Sequence, residues 1–202
     1  MVAAYVTREV AFTTPPLRQW VKKTLPAGVV LTNLVAGGTF ACGLGAANSD
    51  PDNVGRAYCW GNNFYGQMGN GVSSVYGANY RAPSEVLGIK FKSITPGQTM
   101  CGIALDNSTY CWGTASQGSL GNGTVQTMDA KQATPVLVSV PFGLTFAELA
   151  QSGDAVCART TFNEVYCWGP NRYFQLGIGT NDPELSTVPI QIKSTNLLRQ
   201  MP

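Results

Sequence analysis

Histidine is absent from this 202-residue chain, and charged residues make up only 12% of it. Without histidine, a serine or cysteine nucleophile has no imidazole base and zinc has no imidazole ligand. The few Asp and Glu residues are dispersed, so no pair is placed to act as general acid and base. We therefore expect no catalytic residue, no cofactor and no metal site.

Basic clusters are also missing, because the 13 Lys and Arg residues form no run and the net charge is only +2. The chain therefore has no basic patch that could bind a phosphate backbone, and nucleic acid is not an expected partner. We do not expect residues 1–12 to act as a secretory signal, because Arg8 and Glu9 interrupt the apolar run. Residues 24–49 are uncharged, but they contain Pro26, Asn33 and five glycines. We expect two strands joined by a Gly-rich turn there, and no membrane insertion.

The motif YCWG occurs three times, at residues 58–61, 110–113 and 166–169. Around each copy the same features recur in order: a proline-led segment, a strand-like run into a glycine turn, a cysteine strand, YCWG and a Gly/Asn loop. Short strands with turns at a period near 50 residues are typical of a β-propeller or another β-repeat array. The predicted fold is all-β, a β-propeller of about three four-stranded blades.

The repeat also predicts the organisation of the chain. Residues 1–14 form an N-terminal extension or the end of a preceding blade. Residues 15–202 hold the repeats, with units at about 15–82, 83–133 and 134–186 and the start of a fourth at 187–202. Three units are fewer than a closed ring needs, and an open array would expose blade faces. We expect a piece of a longer polypeptide, or a ring closed with partner chains.

Each YCWG cysteine has a second cysteine upstream. In the second and third units the two are ten residues apart, so hairpins turning near 106–108 and 162–164 would bring them opposite each other. The insertion at 45–54 widens the first spacing to seventeen. Zinc knuckles and redox CxxC motifs are both absent. We expect one disulfide per unit and an oxidising compartment, with free buried thiols as the alternative; the pairs are Cys42–Cys59, Cys101–Cys111 and Cys157–Cys167.

Two sequons are consistent with that compartment. Asn107 begins one at the predicted tip of the second hairpin, and Asn122 begins the other in a turn. Both are glycosylation candidates. The Asn122–Gly123 pair has a purely structural alternative, a type I′ turn.

Strand alternation in YCWG places Tyr and Trp on one face and Cys on the other. We expect Trp60, Trp112 and Trp168 to pack between neighbouring blades, with the following glycine allowing close backbone approach; an aromatic ligand cage is the alternative. The GNG and GIG loops lack the lysine and the helix of a phosphate loop.

The units differ most at 45–57, 72–81 and 171–174. Residues in these variable loops are candidates for binding, and the alternative is that they are ordinary loop residues without a binding role. The candidates are Tyr76, Tyr80, Arg81, Arg172 and Tyr173.

The units over about residues 15 to 192 resemble the repeat of the regulator-of-chromosome-condensation family, most clearly in YCWGNNFYGQMGNG at 58–71. The resemblance implies a propeller of four-stranded blades, usually seven. The paired cysteines resemble the ectodomains of crinkly-type plant receptor kinases and repeats of secreted or surface proteins. The family's nuclear exchange factor lacks these cysteine pairs, and the inter-blade Trp and Arg clusters of its plant UV-B photoreceptor are not matched.

The expected function is that of a non-catalytic extracellular or lumenal module for protein–protein binding. The alternative is a structural subunit of a cell-surface or extracellular assembly, packed against neighbouring chains. An intracellular exchange factor or scaffold is the third hypothesis, and reactive thiols in the native protein would support it.

Overall fold

Antiparallel β-strands make up nearly all of the regular structure in the computed structural model, which describes residues 25, 27, 29–46, 51–75, 79–127 and 129–192. The strands are β1 (Leu31–Ala36), β2 (Phe40–Gly45), β3 (Arg56–Asn62), β4 (Asn79–Thr95), β5 (Thr99–Ala104), β6 (Thr109–Thr114), β7 (Lys131–Leu137), β8 (Phe146–Ser152), β9 (Ala155–Thr160), β10 (Val165–Pro170) and β11 (Leu185–Gln191). Two 3-10 turns, at Pro51–Asn53 and Ser116–Gly118, are the only helical elements of that part of the chain.

Strands β1 to β7 pair in chain order in a seven-stranded sheet, and β8 to β11 pair in chain order in a four-stranded one. Because β4 is shared between two ladders, these sheets make three four-stranded units. Blade one contains β1, β2, β3 and the first part of β4, which pairs with β3 as far as Lys90. Blade two begins within the same strand, since Phe91–Thr95 pairs with β5, and continues through β6 and β7. Blade three contains β8 to β11. The predicted all-β fold of three four-stranded blades is confirmed.

The hydrogen-bonded blades are offset by one strand from the units of the sequence repeat. In the sequence, proline-led segments open the second unit and the fragment after the third. In the structure, these segments form the last strands of the preceding blades. Pro83 lies in β4 beside β3, and Pro189 lies in β11 beside β10. A proline has no N–H to donate to the ladder, and an outermost strand tolerates that loss. The predicted extension at 1–14 lies outside the described residues.

Local signals place several strands correctly. The uncharged stretch at 24–49 contains β1 and β2, joined by a turn at Gly37 and Gly38, as expected. Residues 144–152 come closest to a helical pattern, yet they contain β8. Within the described ranges no helix is long and apolar enough to span a bilayer.

The hydrophobic core lies between the blades. One cluster joins blades one and two around Met68, Phe91 and Trp112, and a second joins blades two and three around Leu120 and Trp168. All five side chains are almost completely buried. Because each cluster draws on two sheets, adjacent blades stabilise each other, as in other repeat proteins.

Each blade therefore has two faces. The Tyr and Trp of YCWG point toward the preceding blade, and we call this the front face. The cysteine pair points toward the following blade, which is the back face. Trp112 of blade two accordingly lies in the first cluster, whereas Cys101 and Cys111 of the same blade lie in the second. The predicted separation of Trp and Cys on opposite faces is confirmed.

Candidate binding face

The disulfides join the two central strands of every blade. The registers β2–β3, β5–β6 and β9–β10 set the two cysteines of each pair directly opposite each other, with Cα atoms 4.1 Å apart. The hairpins turn where the sequence predicted, with Asn107 and Asn163 at positive φ. The structure joins the cysteines in the expected pairs, Cys42–Cys59, Cys101–Cys111 and Cys157–Cys167.

The glycine of YCWG allows a close backbone approach in all three blades. Gly61, Gly113 and Gly169 have φ values of 108°, 100° and 101°. A Cβ at Gly61 or Gly169 would lie 2.6 Å from the carbonyl oxygen of Thr39 or Asp154. Residues other than glycine rarely adopt this positive-φ conformation, and a side chain at these positions would have no room.

The tryptophans of blades two and three fasten each blade to the one before it. The indole N–H of Trp112 donates to the carbonyl of Gln67 (2.9 Å), and that of Trp168 donates to the carbonyl of Ser119 (3.0 Å). Both rings are fully buried. This is the packing expected of the motif, and the buried rings of Trp112 and Trp168 cannot form an open ligand cage. Trp60 of blade one is half-buried.

Antiparallel topology gathers the connections into two groups at opposite ends of the strands. We call one group the upper face. It contains the turns before the first cysteine strands (37–39, 96–98 and 153–154) and the loops after YCWG. The lower face contains the hairpin tips at 105–108 and 161–164, the connection at 46–55 and the linker at 138–145. Loops at one end of a rigid propeller are where binding residues commonly lie.

A cleft of about 550 Å³ opens on the upper face, where the turns of all three blades meet. Four glycines from these turns, Gly37, Gly38, Gly97 and Gly153, form part of its wall beside polar side chains such as Asn62, Gln67 and Gln98. Glycines at these positions leave that part of the wall with little steric bulk.

Aromatic side chains of blade one form another part of the wall. Phe64 and Tyr65 meet edge to face, with ring centroids 4.9 Å apart, and Phe40 also borders the cleft. The ammonium of Lys131 in blade two lies 3.6 Å from the centroid of Phe64. This cation–π contact spans two blades and places a positive charge beside the aromatic pair.

A buried carboxyl lies next to this cleft. Asp154 follows Gly153 in the β8–β9 turn, and its Oδ1 atom is buried without a hydrogen-bond partner. Burial raises the pKa of Asp154 above its ordinary value. No opposite charge is among the causes of that shift, and the described residues contain no group of three His, Cys, Asp or Glu side chains that could hold a metal ion.

The opposite end of blade one holds the main ion pair. The guanidinium of Arg56 donates to the carboxylate of Glu85, which raises the pKa of Arg56. Burial raises the pKa of Tyr58, and the charge of Glu85 adds to this effect. The Tyr58 hydroxyl donates to the Asn53 side chain at 3.1 Å. These contacts tie β3 to β4 and to the 3-10 turn, and none of these groups borders the cleft.

Four of the five predicted binding residues lie on the upper face. Tyr80 and Arg81 begin β4, and Arg172 and Tyr173 follow β10. Tyr173 is 85% exposed, whereas Tyr80 packs against the first core cluster. Blade two lies between the Tyr80–Arg81 pair and the Arg172–Tyr173 pair. Tyr76 lies outside the described residues, and the role of all five in binding stays a prediction.

The sequons lie at opposite ends of blade two. Asn107 is exposed at the lower hairpin tip, where its side chain accepts a hydrogen bond from Lys92. Asn122 is half-buried, and its Oδ1 atom accepts from the Thr124 hydroxyl at 2.7 Å. The type I′ alternative is wrong, because Gly123 has a positive φ and Asn122 does not. Glycosylation of either asparagine stays a prediction.

Sequence reasoning does not find the cleft itself. A signal is present, since a glycine turn precedes the first cysteine strand in each unit, as in AGG, PG and SG. That pattern indicates only a turn, because nothing in one unit shows that three such turns meet at one place. Phe64 and Tyr65 are missed for the same reason.

Three blades with this arrangement of strands, inter-blade tryptophans and upper-face loops define a part of a β-propeller. Residues 54–102 and 163–199 match the family model "Regulator of chromosome condensation (RCC1) repeat". These two segments are thus similar to RCC1 repeats, the family that the YCWG units resemble.

Relatives and solved structures extend this match. The ultraviolet-B receptor UVR8 of Arabidopsis thaliana is 29% identical over 142 residues, covering 69% of this chain and 30% of UVR8. The E3 ubiquitin-protein ligase HERC2 of Homo sapiens is 26% identical over 159 residues, covering 77% of this chain and 3% of HERC2. The crystal structure of Prp20p from Saccharomyces cerevisiae superposes with a TM-score of 0.66 at 19% identity, covering 83% of this chain and 39% of Prp20p. The chain thus spans well under half of each.

Proposed function

We propose that this chain is a non-catalytic, protein-binding part of a β-propeller, and that the cleft of the upper face is its binding site. The observation that carries the proposal is the composition of the cleft. Glycine turns from three blades leave part of the wall free of side-chain bulk, and Phe40, Phe64 and Tyr65 supply apolar contact area. Few polar groups beside aromatic surface are typical of sites that bind a peptide segment.

The ligand class follows from these groups. The glycine turns in the wall leave room for the close approach of an extended backbone. The aromatic pair favours an apolar or aromatic side chain, and Lys131 adds a preference for a neighbouring acidic residue. Prp20p, which shares the fold, binds Gsp1p and histones, so proteins are among the ligands of such propellers.

Peptide selection tests this assignment. The disulfide-intact chain would be immobilised and panned against a random peptide library, and selected peptides would be titrated by fluorescence anisotropy. Tyr65→Ala should weaken binding by about tenfold or more, as expected for a central aromatic contact. Phe142→Ala, at an exposed lower-face position, is the matched control and should bind as the wild type does. Peptides that bind both variants equally well would refute the cleft as the site.

The same proposal places the protein in an oxidising compartment, outside the cell or in the secretory lumen. Support comes from the three disulfides, five of whose six cysteines are fully buried. Alkylation should find no reactive thiol in the native protein and six after unfolding and reduction. Six reactive thiols in the native protein would contradict the compartment.

Glycan occupancy gives a separate test of the compartment. The chain would be expressed behind a secretory leader in eukaryotic cells, and glycosidase treatment should then reduce its mass. Asn107→Gln should remove most of that shift, because Asn107 is exposed at a hairpin tip while Asn122 is half-buried. If glycosidase leaves the mass of the wild-type chain unchanged, the disulfides would be the only support for an oxidising compartment.

The second candidate function is that of a structural subunit packed against neighbouring chains. Two residues at the ends of the three-blade stack favour it. Trp60 on the front face of blade one and Cys157 on the back face of blade three are half-buried, whereas their counterparts between blades are fully buried.

A further inference from the structure

A groove of about 250 Å³ opens on the lower face, at the hairpin tip that carries the first sequon. We call it the tip groove. Residues 106–109 of blade two line it on the hairpin side, and Leu137 and the linker that leads to blade three line it on the other. The N–H of Val138 donates to the carbonyl of Thr109 at 2.9 Å, which joins the two sides.

The linker side of the tip groove is mostly apolar and only partly covered. Leu137 is 55% exposed, while Val140 and Leu144 are half-buried and pack against the second core cluster. The hairpin side is polar, with the side chains of Asp106, Asn107 and Ser108. Such a groove suits a group that has both an apolar face and polar substituents.

One residue of the hairpin tip differs in chemistry from its counterparts in the other blades. The position before each YCWG motif is Ala57 in blade one, Thr109 in blade two and Val165 in blade three. Thr109 is 1% exposed, and its hydroxyl has no hydrogen-bond partner among the described residues. A buried hydroxyl without a partner costs free energy that alanine or valine at the same place avoids. Packing therefore gives no reason for a threonine here.

The sequon gives that reason. An acceptor for an N-linked glycan needs Ser or Thr two residues after the asparagine, and Thr109 holds this place after Asn107. The glycan is added as the chain enters the secretory pathway, before folding buries the hydroxyl. The second sequon carries no such cost, because Thr124 is exposed and its hydroxyl bonds to Asn122.

Asn107 is placed to bring a sugar to the tip groove. The residue is exposed and is itself part of the groove lining. The ammonium of Lys92 donates to its Oδ1 atom, and no described residue bonds to Nδ2, the atom to which the sugar is linked. The oxygen of the amide is thus engaged while its nitrogen is available.

We propose that Asn107 carries an N-linked glycan whose first N-acetylglucosamine packs in the tip groove and fastens the blade-two hairpin to the linker. The apolar face of the sugar ring covers Leu137 and Leu144, and its hydroxyl and acetamido groups face the polar side chains of the tip. The groove holds one sugar ring, so the rest of the glycan extends into solvent. The proposal rests on the secretory compartment proposed above, and it does not depend on peptide binding in the cleft of the opposite face.

Thermal unfolding of two forms with the same sequence tests the proposal. Thr124→Ala, at an exposed position, removes the second sequon from both. One form is secreted from eukaryotic cells and trimmed by an endoglycosidase to a single N-acetylglucosamine. The other is exported to the bacterial periplasm, where it forms its disulfides but receives no sugar. The trimmed form should unfold about 2–4 °C higher, as expected for a modest favourable contact in a chain of this size. Equal midpoints would overturn the proposal.

Two leucines near the hairpin tip give a matched pair of variants. Leu137 lines the tip groove, whereas Leu105, which is 46% exposed on the same hairpin, does not. Each variant would be made with and without the sugar. Leu137→Ala should remove most of the difference in midpoint between the two forms, because the sugar loses apolar surface that it covers. Leu105→Ala should leave that difference unchanged, and equal effects of the two variants would show that the sugar does not pack in the groove.

Moving the sequon tests the place of the sugar. Thr109→Val combined with Val165→Thr transfers the sequon from Asn107 to Asn163, at the equivalent tip of blade three. Asn163 is exposed, and its Oδ1 atom accepts from Arg159 at 2.8 Å, but it does not line the tip groove. A sugar at Asn163 should add no stability over the sugar-free form of the same variant. A gain as large as that at Asn107 would contradict a specific seat for the sugar.

The buried hydroxyl can be tested without any glycan. In the periplasmic form, Thr109→Val should raise the unfolding midpoint, because it removes a buried polar group that has no partner. A lower midpoint would overturn the assignment of this hydroxyl to the sequon.

Mass spectrometry of the secreted chain separates failure of this proposal from failure of the proposed function. A chain with all six cysteines paired and an unmodified Asn107 would overturn the glycan and leave the oxidising compartment standing. Six reactive thiols in the native protein would instead contradict the compartment on which the glycan rests. Binding of selected peptides by the sugar-free form would show that the cleft works independently of either result.

Discussion

The indole nitrogen of Trp112 lies 2.9 Å from the carbonyl oxygen of Gln67, although the two residues are 45 positions apart and belong to different blades. Trp168 and Ser119 repeat the contact across the next junction. Each bond is buried, so neither group can exchange its partner for water. The repeated tryptophan therefore holds neighbouring blades together as well as filling the core.

Trp112→Phe should lower the free energy of unfolding by about 1–3 kcal/mol, because the buried Gln67 carbonyl loses its donor. Urea denaturation at low protein concentration measures this. Trp60→Phe is the matched control, since Trp60 is half-buried at the front end face, and its effect should be smaller. Equal losses in both variants would show that the inter-blade bond contributes nothing.

Gly118→Ala should destabilise more than Gly153→Ala. Both glycines have positive φ, 75° and 63°, so both substitutions strain the backbone, by about 1 kcal/mol. Only at Gly118 would the new Cβ also lie 2.5 Å from a neighbouring atom, the carbonyl oxygen of Ser186, whereas at Gly153 it meets nothing within 4 Å. Thermal unfolding of the two variants compares them, and similar midpoints would contradict the tight junction between blades two and three.

Removing a disulfide by replacing both cysteines with alanine should destabilise by about 3 kcal/mol through loop entropy. Removal of Cys42–Cys59, which closes a separation of 17, should lower stability about 0.5 kcal/mol more than removal of Cys101–Cys111, which closes 10. Urea unfolding under non-reducing conditions gives both values. A variant as stable as the wild type would show that the hairpins need no covalent link.

Asp154→Asn should stabilise the protein at neutral pH. Burial raises the folded-state pKa of Asp154, so the folded protein binds this proton more tightly than the unfolded chain does. The stability linked to the protonated carboxyl is complete below the ordinary pKa of about 3.8 and is lost as pH rises through the folded value. The advantage of the Asp154→Asn variant over the wild type should therefore shrink as the pH is lowered.

Unfolding midpoints of both proteins over a pH series measure this trend. Asp129→Asn, at an exposed position, is the control and should follow the wild type throughout. An Asp154→Asn advantage that is independent of pH would point to packing rather than to ionisation.

Local patterns are enough to predict much of this fold. Cys101 and Cys111 lie ten residues apart around a turn-forming Asp-Asn-Ser segment, which indicates a hairpin and a cross-strand disulfide. The alternation in YCWG likewise sets Trp112 and Cys111 on opposite faces. These inferences succeed because hairpin closure and strand pleat depend on residues within about ten positions of each other.

The proline-led segments show where such reasoning stops. Pro83 opens a repeat in the sequence, yet it lies in the last strand of blade one. A repeat has no intrinsic starting point, and only hydrogen bonding decides which strand closes which sheet. The cleft is a second example, because Gly37, Gly97 and Gly153 are separate turns until three blades are placed side by side.

The sequence by itself determined the strands, the three cysteine pairs and the face on which each tryptophan lies, since all of these follow from periodicity and short-range spacing. Only the tertiary structure decided that glycine turns of three blades meet in a cleft, and that the indoles of Trp112 and Trp168 donate to carbonyls of the blade before. The physical reason is that these relationships depend on packing one sheet against another, which no single repeat encodes.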